Sequence, residues 1–237
     1  MLTSAEWDAV WLSTKVALCS TLLSLPAGIG VAWLLARRVF RGKFLLEAFV
    51  QLPMVLPPVV PGYLLLLLFG TQGWIGAWLL AHFNFVLAFN WKGAVLASAV
   101  MAFPLMVQPV RIALRMIDVR FEQAATTLGS TPARAFLTIT LPLALPGIVV
   151  GSMLCFSRSL GEFGATMAFV GNIPGETRTL PLAIYSVTHA PDGEAAALRL
   201  STLSIALALA ALLARHAISA RAEQQLGHGG GGQRASH

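Results

Sequence analysis

Residues 122–142 read EQAATTLGSTPARAFLTITLP, a hydrophilic stretch set between apolar runs long enough to cross a bilayer, and that alternation decides the fold. Gly129 suits a helix end that needs a positive φ, Thr131 can cap the next helix, and Pro132 suits that helix's first turn. The punctuation predicts a short helix, a sharp turn and a second helix over 120–137. On the first helix Ala124 and Ala125 are small enough for close approach, and Leu128 lies one turn beyond Ala124. Arg120, Glu122 and Gln123 supply its polar edges. Such a surface can sit in a groove of another protein; by composition alone a solvated linker is an equal alternative.

Outward from this segment the chain is a membrane protein. It is 57% hydrophobic and only 11% charged, so it has too few polar groups to cover a water-facing surface. Residues 16–36, 48–91, 93–110, 135–157 and 200–214 carry no charge, and a span needs roughly 20 mainly apolar residues. Gly70, Gly73 and Gly76, with Gln72, His82 and Asn84, interrupt the second half of the long run. One span followed by an interfacial loop is therefore expected there. The reading is an all-α polytopic helix bundle of five principal spans, at about 11–36, 46–69, 91–112, 137–158 and 196–217, with a sixth crossing as the alternative.

The basic residues give this bundle a direction. Arg37, Arg38, Arg41 and Lys43 fill the first connection, Arg111, Arg115, Arg120 and Arg134 the third, and Arg215, Arg221 and Arg234 the tail. These connections should face the cytoplasm. Residues 1–10 and the 70–90 and 159–195 segments then lie outside, 11–218 form the membrane domain, and 219–237 form a cytoplasmic, glycine-rich, disordered tail. The net charge of +6 reflects attraction to the anionic inner leaflet rather than to nucleic acid. Glu6 and Asp8 without a basic leader argue against a removable signal peptide. Cys19 and Cys155 lie mid-span without metal-ligand spacing, so neither a disulfide nor a metal centre is expected.

No phosphate-cradling loop is present: Gly42-Lys43 continues with Phe44, and Arg37 stands where the first glycine would be. Ser157, Ser159 and Glu162 crowd one span end and define the rival from another class, an intramembrane enzyme. Hydroxyls in membrane helices more often bond to backbone or neighbouring helices. The following segment, 157–185, holds two uncharged runs of 13 residues (163–175 and 179–191), too short to cross and suited to re-entrant or gating elements. Arg158 and Glu162 are one helical turn apart. Charges at membrane depth cost roughly 2.5–3.5 kcal/mol each, so the two should pair or face water. Gly147 and Gly151 form a small-xxx-small stripe suited to packing within the bundle.

The segment 122–142 resembles the cytoplasmic motif of ABC-importer permeases, through Ala124, Ala125, Gly129, Ile139, Leu141 and Pro142. Gln123 departs from the glutamate usual before the two alanines, and the acid is displaced to Glu122. Further on, SLGEFGAT at 159–166, NIPGETRT at 172–179 and LPMVLPPVVPGYLLL at 52–66 are similar to molybdate permeases. Sulfate and thiosulfate permeases share the Gly-Glu-Phe-Gly core and the proline-rich second span, and they are the nearest alternative. Pro61 departs from the family pattern as an additional proline.

The resemblance implies a type I importer permease of the bacterial inner membrane that works as a homodimer without an ATPase site of its own. Its partners would be two ATPase subunits, which bind the ATP, and an extracytoplasmic molybdate-binding protein. The coupling set would be Arg120, Glu122, Gln123, Ala124, Ala125, Leu128, Gly129, Pro132, Ile139 and Pro142. Candidates for the path or gate are Arg158, Glu162, Thr166, Asn172, Thr177, Thr179, Ser186 and Thr188. Molybdate and tungstate are tetrahedral dianions, and hydroxyls and amides would give them weaker, releasable steps than a cluster of cations.

Overall fold

A capping box opens the first helix: the Thr3 hydroxyl accepts from the Glu6 amide while the Glu6 carboxylate accepts from the Thr3 amide. In this computed structural model, which describes residues 3–227 and side chains as far as residue 213, every element is helical. Helix α1 (Ser4–Arg37) therefore begins well before residue 11, and residues 4–10 belong to it rather than to a separate N-terminal segment. Arg199 holds Glu6 at 3.1 Å, and Ala9 is buried with Leu180, Ala183 and Leu200, so this first part of the helix is pinned to the 180–200 region.

The expected second span is broken. Helices α2 (Lys43–Val55) and α3 (Val59–Phe69) meet at 112°. Pro57 forces the preceding Leu56 out of the helical region, to φ −73° and ψ 144°, and Pro57 and Pro58 donate no amide hydrogen. Beyond it, α4 (Trp74–Phe83) is a short apolar helix where an interfacial loop was expected, and it ends on Asn84 in the left-handed conformation at φ +47°.

Helix α5 (Trp91–Met116) is capped by Asn90, whose side chain accepts from the Lys92 amide. It outruns the expected end at 112, so Arg111 and Arg115 ride on its last turns rather than in a connection. Then come α6 (Arg120–Thr127), α7 (Pro132–Ala135), a π-helical turn at Phe136–Thr140, α8 (Leu141–Leu143) and α9 (Leu145–Leu160). The segments Pro132–Leu143 and Leu145–Leu160 are bent by 68°. Pro142 and Pro146, four apart, remove amide donors from consecutive turns, and the Leu141 amide reaches back to the Phe136 carbonyl in the wider π register. The fourth span is thus kinked near its start.

Helices α10 (Gly164–Val170) and α11 (Leu180–Thr188) are too short to cross, as expected. Helix α12 (Glu194–Gly227) continues past residue 218, so residues 219–227, read as disordered tail, are helical. The remaining tail residues, 228–237, lie outside the described residues. By length and composition three helices can cross a membrane alone, and five crossings result if each bent pair counts as one.

The core is built where α1, α5 and α9 pack side by side. Small residues on α5, among them Gly93, Ala94, Ala97, Ser98 and Ala102, are buried and let its neighbours approach closely. A Cβ on Gly147 would lie 2.4 Å from Ala113 Cβ, and one on Gly151 would lie 2.7 Å from the Met106 carbonyl. The glycine stripe of α9 therefore packs within the bundle. At one end Val16, Leu65, Ala97, Ala165 and Phe169 join α1, α3, α5 and α10; at the other Leu35, Val50, Val110, Leu114 and Ile148 join α1, α2, α5 and α9.

Candidate functional site

The segment between α5 and α9 folds as its punctuation predicts. Helix α6 closes on a Schellman turn, in which the Ser130 amide donates to the Ala125 carbonyl at 3.0 Å and the Gly129 amide to the Thr126 carbonyl at 3.0 Å. Gly129 has φ +88°. The Thr131 hydroxyl then caps α7 by accepting from the Arg134 amide, with Pro132 at that helix's start.

The predicted coupling residues separate into two faces. Ala124, Gln123, Arg120 and Leu128 are exposed, Leu128 at 89%, and Pro132 continues this open surface. Glu122 and Ala125, three apart, are turned toward the body of the protein and half-buried. Glu122 is engaged within its own chain. Its Oε1 lies 3.5 Å from Arg37 Nη2 and accepts a hydrogen bond from the Thr140 hydroxyl. Ile139 lies inside the π turn that ends at Thr140, and Pro142 follows it on α8. The motif's second half therefore lies at the bend that opens the fourth span, with Pro142 exposed there.

Nearer the other end, Arg158 Nη1 lies 2.7 Å from Glu162 Oε2, with Glu162 only 2% exposed and Arg158 at 32%. The second carboxylate oxygen accepts from the Ala165 amide at 2.9 Å. Oε2 has the guanidinium as a close charge contact but no aligned hydrogen bond. The expected pairing is thus formed, and it staples the end of α9 to the start of α10. Ser159 is not brought to this carboxylate: its hydroxyl accepts from Ser20 at 2.9 Å. Ser157 points outward, so the three residues of the enzyme alternative do not form one constellation.

The remaining candidates do not form one path either. Thr166 and Thr177 are fully buried; Thr166 donates to the Phe163 carbonyl, and Thr177 accepts from the Ile173 amide. Both finish local turns. Thr179 is buried at the start of α11, its hydroxyl without a partner. Thr188 is exposed and donates to the Tyr185 carbonyl. Asn172 and Ser186 do meet, at 2.7 Å, and Arg178 Nε donates to Asn172 Oδ1 at 2.9 Å. Arg178, absent from the candidate set, anchors this cluster. It lines a hollow of about 280 Å³ between the start of α1 and the 172–178 loop, with Asp8 on its other wall.

Arg37 and Thr140 were also missed. Their partner lies 85 and 18 residues away, and in the sequence Arg37 is one of four cations that fill the first connection. The one signal available was position: a charge at the last residue of an apolar span, and a hydroxyl two residues before a proline.

The fold is an all-helical membrane bundle with an exposed two-helix knuckle between its third and fourth spans. The chain belongs to the family described as binding-protein-dependent transport system inner membrane component, which it matches over residues 24–223, and it is a multi-pass inner-membrane protein. It is 58% identical over 213 residues to the molybdenum transport system permease protein ModB of Escherichia coli (strain K12), covering 90% of this chain and 93% of that protein. It is 53% identical over 224 residues to ModB of Haemophilus influenzae, covering 94% and 98%. Among solved structures it is similar to a bacterial alginate ABC transporter in complex with an alginate pentasaccharide-bound periplasmic protein. That match has a TM-score of 0.72 at 17% identity and covers 92% of this chain and 80% of that one.

Proposed function

We propose that this chain is the membrane-spanning permease subunit of an ATP-driven importer for molybdate, with tungstate as a chemically equivalent cargo. The observation that carries the reading is the 58% identity to a molybdenum transport permease across nine-tenths of the chain. Two copies pair in the membrane over two ATPase subunits, which bind and hydrolyse the ATP, and a molybdate-binding protein docks outside. The N-terminus faces outward and α6 faces the cytoplasm, a reading supported by the arginine distribution.

Helix α6 docks in a groove of the ATPase through its open face, Ala124 and Leu128 leading, with Arg120, Gln123 and Pro132 at the rim. Moving a two-state equilibrium from 1:99 to 99:1 requires about 5.5 kcal/mol of differential interaction. An exposed ion pair supplies ~0–1 kcal/mol, so packing of the helix into its groove dominates the docking.

The test is ATP hydrolysis by the co-purified complex in proteoliposomes with its binding protein. Stimulation by molybdate and tungstate is expected; stimulation by sulfate alone would move the assignment to a sulfate importer.

A further inference from the structure

Helix α6 is eight residues long and none of them is buried. Apolar packing therefore does not fix it to the membrane domain, yet a docking helix must be fixed to something in order to move it. We propose that Glu122 is a positioning residue that fastens α6 to α1 and to the bent start of α9. In this proposal the junction of Glu122 with Arg37 and Thr140 governs how much of an ATPase movement reaches those two helices. The proposal deepens the importer reading above and rests on it.

The junction stands at a mechanically chosen place. Arg37 is the last residue of α1, and Thr140 is the last residue of the π turn. Two residues beyond Thr140, Pro142 opens the stretch that ends in the 68° bend. One carboxylate oxygen thus touches a rod that runs the depth of the bundle and a hinge in the neighbouring span. Thr140 is fully buried and the Arg37 side chain is 12% exposed. If the Glu122 carboxylate turned to a partner protein, it would leave that guanidinium enclosed without its counter-charge, which is strongly unfavourable. Arg37 Nε is already buried without a hydrogen-bond partner. The junction is therefore unsaturated and has a spare donor for a second arrangement. π turns interrupt the regular ladder and often mark functional sites, and here the interruption is tied to the one acidic residue of α6.

The experiment uses the full complex with its binding protein in proteoliposomes and reads molybdate taken up per ATP hydrolysed, together with the amount of ATPase chain that co-purifies. Glu122→Gln and Thr140→Val should each lower uptake per ATP by roughly five- to tenfold with the ATPase still bound. Thr140→Ser, which keeps the hydroxyl, should restore the ratio. The double variant should be no worse than Glu122→Gln, because both remove the same link. An unchanged ratio in Glu122→Gln overturns the proposal, and so does loss of the ATPase chain from that variant, since the carboxylate would then belong to the docking face. Should Glu122→Gln fail to accumulate, the near-isosteric pair Thr140→Val and Thr140→Ser decides, and equal ratios overturn it. Absence of oxyanion-stimulated hydrolysis in the unaltered complex would instead overturn the importer reading itself.

Discussion

At Gly129 space and backbone conformation make separate demands. A Cβ there would meet nothing within 4 Å, but φ is +88°, and a left-handed conformation costs an L-residue roughly 1–2 kcal/mol. The requirement is therefore dihedral rather than steric. Gly129→Asn, which tolerates that region, should keep most uptake, whereas Gly129→Val should abolish it while the protein still reaches the membrane; uptake in cells expressing equal amounts of each variant checks this. Arg111 presents a different kind of dependence. Its two guanidinium nitrogens meet both oxygens of Glu47 at 2.6 and 3.1 Å, joining α2 to α5, with 11% and 33% of the two side chains exposed. Arg111→Ala should lower stability in detergent by about 1–3 kcal/mol, and Arg111→Lys should recover only part of it because a single ammonium cannot reproduce the paired geometry. Thermal unfolding of the three proteins would show the order.

Among the elements, α3 and α10 are held by what their glycines lack. A Cβ on Gly62 would lie 2.5 Å from the Ala165 carbonyl and 2.8 Å from its Cα, and one on Gly164 would lie 2.7 Å from Pro58 Cβ. Gly62→Ala must therefore push α3 off α10 and should sharply reduce the folded protein recovered. Gly30→Ala, on an exposed face of α1 with nothing within 4 Å, should be neutral; size-exclusion profiles of the two variants make the comparison. These elements also show what a linear reading can reach. The turn at 129–132 was legible because a cap, a glycine and a proline act within one turn of chain. The uncharged runs gave the spans because bilayer thickness sets a length that residue counting can meet. The prolines at 57 and 58 cannot donate helix amides, so a break is legible there, but Gly62 also lies against α10, a contact a hundred residues away that no local pattern encodes. Likewise the resemblance sets Glu122 among the coupling residues, and nothing local shows that its carboxylate meets Arg37 and Thr140. Its direction is set by Arg37, and only the folded chain brings that residue near.

For the whole molecule, orientation is the property on which the proposed function depends. With Cys19 and Cys155 replaced, a cysteine at Ala124 should react with a membrane-impermeant thiol reagent only from the cytoplasmic side, and one at Gly175 only from outside; labelling of intact cells and of inverted vesicles checks both. Helix α1 links these two sides. Its 34 residues make a rod of about 51 Å, against a hydrocarbon layer of about 30 Å. Its uncharged portion is bounded by Lys15, whose ammonium sits 3.6 Å from the centre of the Trp91 ring, and by Arg37. In the proposed orientation those two cations bound the lipid-facing length of the rod, and Arg37 also belongs to the Glu122 junction. Stretching or thinning the surrounding lipid would therefore load that junction directly, so this permease should be tuned to acyl-chain length, transporting best in bilayers whose thickness matches the interval from Lys15 to Arg37.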